Sequence, residues 1–344
     1  MAPVRIAVLG AGLIGRRHAE AVAAEPEAAL AAVVDPSEAG RAVAAERGVA
    51  WYPGFDAMLR AERPEAAIIA TPNRMHVEHG LDVISAGIPA IVEKPLADDV
   101  PGATRLVEAA EAAGIPLMVG HHRRHNPLVR AAKEAIAAGR IGKVVAAQAI
   151  CWFFKPPEYF DAEWRRLPGA GPVFLNLIHD VDLLRLLCGE VRSVQAMESN
   201  AERGHAVEDT AAILLRFAGG ALGTVSVSDT VVSPWSWEFT SGENPVHTQT
   251  AESCCLIGGT SGSLSVPSLD LWHHANRPSW WEPIGCDRLP VTQGDPLRLQ
   301  VRNLCRVVRG TEAPVAPARE GLETLKVIAA VKAAAATGRT VTLA

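Results

Sequence analysis

At 344 residues the chain exceeds one ordinary hydrophobic core and suits about two domains. It is 49% hydrophobic and 21% charged, a globular composition, and its net charge of -5 with no basic stripe speaks against a nucleic-acid partner. No apolar run approaches the ~20 residues of a membrane span, the start MAPVRIAVLG lacks a signal-peptide layout, and the six cysteines show no C-x-x-C or zinc spacing, so the expectation is a cytoplasmic protein with free thiols and no metal.

The first 120 residues alternate short apolar runs with amphipathic ones. Strands are expected at 4–10, 29–35, 49–52, 66–70, 88–92 and 115–120. Helices are expected at 13–24, 36–48, 55–63, 75–87 and 100–114, several closed by glycine. Continuously apolar strands alternating with helices mean a parallel sheet covered on both faces. Beyond about residue 122 the rhythm changes. A helix at 127–139 precedes a long strand at 143–154, a polar stretch to Gly171 and a helix at 179–189. Strand-like runs follow at 191–199, 210–218, 221–230 and near 254–272, with Gly219-Gly220 as a hairpin signal. The Trp-rich stretches 233–245 and 273–285 read as loops, and helices close the chain at 296–309 and 319–337. The expected fold is therefore an α/β Rossmann domain with a parallel sheet over 1–122. An α+β substrate domain with a mostly antiparallel sheet follows over 123–344.

Gly10-Ala11-Gly12-Leu13-Ile14-Gly15 is a G-x-G-x-x-G stretch joining the first strand to the first helix. Its glycines permit a tight turn, close approach of a pyrophosphate, and packing of helix on strand. The helix N-terminus stabilises the phosphate charge. The second strand ends on Asp35, whose carboxylate suits a ribose diol and repels a 2′-phosphate. NAD is thus favoured over NADP, although Arg41 lies nearby. Thr71-Pro72-Asn73 and Glu93-Lys94-Pro95 end two further strands on the same carboxyl edge, where such sheets hold ligands. Asn73 suits either a ribose or nicotinamide contact or a helix cap; His76 reads as structural.

In order along the chain stand GAGLIG, ATPNRMH, VEKPLA, VGHHRRHNP and GAGPVFLNLIHDVDLLRLLCG. This ordered set resembles the Gfo/Idh/MocA oxidoreductases, the family of glucose-fructose oxidoreductase and inositol dehydrogenases. The resemblance implies hydride transfer between a nicotinamide and a hydroxyl-bearing carbon of a sugar, cyclitol or related cyclic diol. It also implies a homodimer or homotetramer formed through the open C-terminal sheet. By the same resemblance Lys94 sits near nicotinamide and substrate hydroxyl, and Glu93 orders that lysine or the nicotinamide-ribose region. Trp164-Arg165 matches a pair placed beside cofactor and substrate. His179 matches a proton-accepting histidine, a role suited to imidazole near neutral pH. The family's Asp four residues earlier is Leu175 here, and Asn176 is the nearest polar side chain. Three routes stay open: Asn176 orients substrate, Asp180 or Asp182 serves His179, or His179 and Lys94 handle the proton alone. Arg124 either steers a substrate hydroxyl or carboxylate or braces the interdomain junction, and Trp235 either walls a substrate pocket or serves loop anchoring or a subunit interface. Two competing readings are a dinucleotide-binding regulator without turnover, and an NAD-retaining enzyme of elimination or glycoside cleavage.

Overall fold

The computed structural model describes residues 2–343. The chain divides into two compact units, one running to His125 together with Gly294–Leu325, the other Asn126–Gln293 together with the chain from Lys326 on.

In the first unit the chain runs β1 (Val4–Leu9), α1 (Leu13–Ala24), β2 (Ala28–Val34), α2 (Glu38–Arg47), β3 (Ala50–Tyr52), α3 (Phe55–Ala61) and β4 (Ala66–Ile69). It continues through α4 (His76–Ser85), β5 (Ala90–Val92), α5 (Val100–Ala113) and β6 (Leu117–Val119). The six strands form one sheet in the order β3-β2-β1-β4-β5-β6, and each pair is parallel. The strand order reverses at β1 and β4, the switch point where a ligand crevice opens at the carboxyl ends. Helix punctuation follows the sequence. The Ser37 and Asp99 side chains accept the N–H groups of Gly40 and Gly102 at the starts of α2 and α5, and Gly48 and Gly114 end those helices in the left-handed region.

The second unit begins with α6 (Pro127–Ala137), β7 (Val144–Trp152), α7 (Pro172–Leu175), α8 (Leu177–Cys188), β8 (Val191–Ser199), β9 (Thr210–Phe217) and β10 (Leu222–Ser228). Then come α9 (Trp237–Thr240), β11 (Cys255–Gly259), β12 (Gly262–Val266), β13 (Asp270–His274) and β14 (Ile284–Arg288). The chain closes with α10 (Pro296–Val308), α11 (Ala318–Thr337) and β15 (Val341–Thr342). The sheet order is β14-β13-β12-β11-β7-β10-β9-β8-β15, antiparallel except where β10 pairs with β7. Gly219-Gly220 does turn β9 into β10, with Gly220 at φ +89°. Strand β9 alternates buried and exposed residues, so one sheet face packs and the other faces out. The packed face holds Ile213, Leu215, Phe217 and Val225 against Leu177, Val181 and Leu184 of α8 and Val327, Ile328 and Val331 of α11.

Three expectations change. The second half does not keep everything beyond residue 123, because Gly294–Leu325 belongs to the first unit. Helix α10 buries Leu297, Val301, Leu304 and Cys305 against Val4, Ile6, Val8, Ile68 and Ile91 of the parallel sheet. Its other face carries Arg298 and Arg302 to Glu25, and Arg306 and Arg309 to Glu27. Helix α9 forms inside the Trp-rich stretch expected to be a loop, where Trp237 is buried. Strand β14 also lies partly in an expected loop; all five of its residues are exposed, so pairing with β13 defines it and no apolar alternation announces it.

Because α10 closes the first unit's core, Leu304→Ala is expected to cost about 2–5 kcal/mol in denaturant unfolding. A cost below about 0.5 kcal/mol would remove α10 from that core.

Candidate active site

The glycine-rich turn is built by close contacts. A Cβ on Gly10, which has φ +91°, would lie 2.5 Å from the Ala70 carbonyl oxygen, and one on Gly15 would lie 2.0 Å from the Gly10 oxygen. Gly12 differs: nothing stands within 4 Å of an added Cβ. Its bareness serves no neighbour in the fold and leaves the backbone open to a ligand. Gly12 caps α1 with no side-chain hydrogen bond, and the first turn holds no acid. Its N–H groups and dipole therefore suit a phosphate. Leu13 is exposed beside this turn, and Ile14 packs partly against the core.

Asp35 stands at the end of β2. One carboxylate oxygen accepts the Ala11 N–H at 2.7 Å; the other accepts the Ser37 N–H at 2.8 Å and the Ser37 hydroxyl. Burial pulls its pKa up, but these hydrogen bonds outweigh burial and hold it below the usual carboxylate range. A fixed carboxylate next to the glycine turn fits a ribose diol. The donors, the open backbone over Gly12 and this acid together fit a dinucleotide.

Thr71 and Asn73 follow β4. Residues Asn73–Met75 form a short 3-10 turn, and neither that turn nor α4 has a side-chain cap, so the capping role considered for Asn73 is not the one it plays. His76 is buried and ties two turns together: its Nε2 faces the Thr71 carbonyl at 2.9 Å and its Nδ1 the Pro95 carbonyl at 2.8 Å. The structural reading of His76 thus acquires a definite task.

Glu93 ends β5 and is buried. His18 Nε2 lies 2.7 Å from one carboxylate oxygen, and the Lys94 N–H donates to the other at 3.0 Å. Gly120 allows the contact, since a Cβ there would meet the Glu93 carboxyl at 2.8 Å. Burial alone would raise the Glu93 pKa. The hydrogen bond and charge of His18, then the charges of Lys94 and His122, bring it down to about 2. Both carboxylate oxygens are thus engaged within the fold, and Glu93 orders the backbone that carries Lys94. Lys94 is half-buried and precedes a cis peptide bond to Pro95. Arg124, also of this unit, is buried with its guanidinium 2.9 Å from Glu320, a brace within the unit.

The second unit carries the remaining residues. Asn176 sits at the junction of α7 and α8, and its side-chain oxygen has no hydrogen-bond partner among the described residues. His179, one turn into α8, is buried, as are Asp180 and Asp182. The turn before α7 is locked by Glu208, which accepts the Val173 N–H at 3.1 Å and packs where a Cβ on Gly171 would stand. Lys332 donates to Glu208 at 2.6 Å and to Glu198 at 2.7 Å. The Arg165 guanidinium lies 4.0 Å from the Tyr159 ring centre, and Trp164 is exposed. Trp235 packs edge-on against Trp152 at 5.7 Å and donates to Glu252 at 3.4 Å, so it anchors its segment to β7. His18 and Glu208 escaped the sequence reading; nothing local marks a residue whose partner lies 75 or 35 positions away.

A doubly wound sheet with this glycine turn and a fixed acid after β2 defines an NAD-binding oxidoreductase domain. Residues 4–121 match the model of the oxidoreductase family with an NAD-binding Rossmann fold, and residues 129–265 match that of the GFO/IDH/MocA C-terminal domain. The chain belongs to the GFO/IDH/MocA family of oxidoreductases. It is 33% identical to an inositol 2-dehydrogenase of Rubrobacter xylanophilus over 68% of this chain and 67% of the relative. It is 27% identical to a 1,5-anhydro-D-fructose reductase of Ensifer adhaerens over 97% of each. The WlbA dehydrogenase of Bordetella pertussis, solved in complex with NADH and UDP-GlcNAcA, superposes with a TM-score of 0.80 at 26% identity, covering 99% of both chains.

The lowered pKa of Glu93 fixes a sign. Its contribution to stability is fully present above the ordinary 4.5 and is lost as pH falls toward about 2. In urea unfolding, the advantage of the wild type over Glu93→Gln is expected to stay constant above pH 4.5 and to shrink below it. A gap that does not change with pH would show that Glu93 is not held as a carboxylate.

Proposed function

We propose that this protein oxidises a secondary alcohol of a sugar, cyclitol or related cyclic hydroxy compound, with Lys94 binding the reacting oxygen and His179 accepting its proton. One observation carries the reading: Lys94 stands on the carboxyl edge that also presents Gly12 and Asp35, its backbone fixed by a buried carboxylate. The names of the relatives, an inositol dehydrogenase and a sugar reductase, support the substrate class.

Gly10, Gly12, Leu13, Ile14, Gly15 and Asp35 hold NAD, with Thr71, Asn73, Glu93, Trp164 and Arg165 around it. When bound, the nicotinamide supplies the hydride acceptor. The Lys94 ammonium donates a hydrogen bond to the substrate oxygen and stabilises negative charge growing there. His179 takes the hydroxyl proton at a ring nitrogen. Asn176 offers a neutral acceptor to a second substrate hydroxyl, so the acid missing at Leu175 is replaced by orientation and not by another base.

The protein associates through the open face of its second sheet, as a dimer or tetramer. Val145, Met197, Leu214, Leu222 and Leu256 are exposed on neighbouring strands of that face, and contiguous exposed apolar residues mark interaction surfaces.

Lys94→Met is expected to lower kcat by about 10²–10³-fold, with NADH affinity kept. His179→Asn should lower it by about 10²–10⁴-fold and abolish the acidic limb of the pH–rate profile. NADH absorbance over a panel of polyols, aldoses and cyclic diols reads both. Near wild-type turnover in either variant removes that residue from its role. For the sheet face, Leu214→Glu with Leu222→Glu should yield monomers in light scattering; an unchanged mass places the interface elsewhere.

A further inference from the structure

Lys155 follows β7 and its side chain is only 6% exposed. Its backbone is clamped: its N–H donates to the Asp229 carbonyl at 2.9 Å, and its own carbonyl accepts from Arg203 at 2.9 Å. Its ammonium has no hydrogen-bond partner among the described residues. The carboxylate facing it, Asp229, stands at 3.9 Å, beyond hydrogen-bond reach, and binds Arg203 at 2.6 Å instead. The ammonium lies 4.8 Å from the centre of the Tyr159 ring. Arg165 lies 4.0 Å from the same ring centre; one of its terminal nitrogens donates to the Tyr159 carbonyl at 2.6 Å, and its Nε has no partner.

An ammonium carries three donors, and burying it with those donors unfilled is unfavourable. Burial pushes the Lys155 pKa below the usual lysine range, against the pull of Asp229. A buried donor without a hydrogen-bond partner calls for an explanation, and a bound ligand supplies one. A hydroxyl would fill one donor; a carboxylate would fill donors and add its charge to that of Asp229, which Lys155 shares with Arg203. The buried donors left open, the three of the ammonium and the Arg165 Nε–H, can be filled by the acceptor oxygens of a carboxylate.

We infer that Lys155, seconded by Arg165 across Tyr159, binds a carboxylate on the substrate, so that the preferred substrate is a hydroxylated acid. For the reaction this inference rests on the proposed function; for binding it stands on the geometry alone.

The test uses NADH-loaded protein and matched pairs: D-glucuronate with D-glucose, D-galacturonate with D-galactose, L-tartrate with threitol. Calorimetry on the wild type should show at least one acid bound about 10–100-fold more tightly than its neutral partner. Lys155→Met should abolish that preference while leaving NADH and the neutral partner unaffected; Lys155→Arg should keep part of it. Retained NADH affinity marks a folded variant. If the wild type prefers no acid, or Lys155→Met keeps the preference, the inference is overturned. If the preference depends on Lys155 but no acid or neutral compound yields NADH from NAD, the carboxylate site stands and the dehydrogenase reading falls.

Discussion

The first unit turns on one buried carboxylate. Glu93 accepts from His18 on α1 with one oxygen and from the Lys94 backbone with the other. Helix α1, whose N-terminus suits a phosphate, is thereby tied to the strand end that carries Lys94. Neither oxygen is spare, so the geometry of the lysine is set by a contact inside the fold. A carboxylate so placed is costly to bury, and its lowered pKa shows that its partners more than offset that cost.

The same device recurs wherever a turn must be held. His76 bridges the Thr71 and Pro95 carbonyls, so two loops on the carboxyl edge share one ring. Glu208 holds the start of α7 and is itself held by Lys332. Glu25 and Glu27 receive four arginines from α10 and its end. Apolar packing makes the sheets and helices; these polar clasps fix the segments that leave them, where backbone groups have no ladder to satisfy them.

Much of this was legible. The six parallel strands announce themselves as continuous apolar runs because both faces of such a sheet are buried. The hairpin at Gly219-Gly220 was readable because the turn needs a positive φ. Gly10, Gly12, Gly15 and Asp35 stood out in the sequence because their spacing is set by one strand, one turn and one helix. His18 was not, because its meaning comes from a residue 75 positions away. For Asn73 a cofactor contact and a helix cap were equally open from sequence, and neither the 3-10 turn at Asn73–Met75 nor α4 carries a side-chain cap.

The sequence by itself determined the class of protein, the order of elements and the strand ends that carry chemistry, because these depend on local periodicity and on motifs a few residues long. Tertiary structure decided the rest. Helix α10 returns to the first unit because its apolar stripe matches that sheet and its arginines meet Glu25 and Glu27. Strand β14 exists because an edge backbone found a partner, not because its side chains prefer the core. Lys155 lies in a polar stretch with no local signal to mark it; only the packing of Tyr159 and the clamp of Arg203 make it a buried cation.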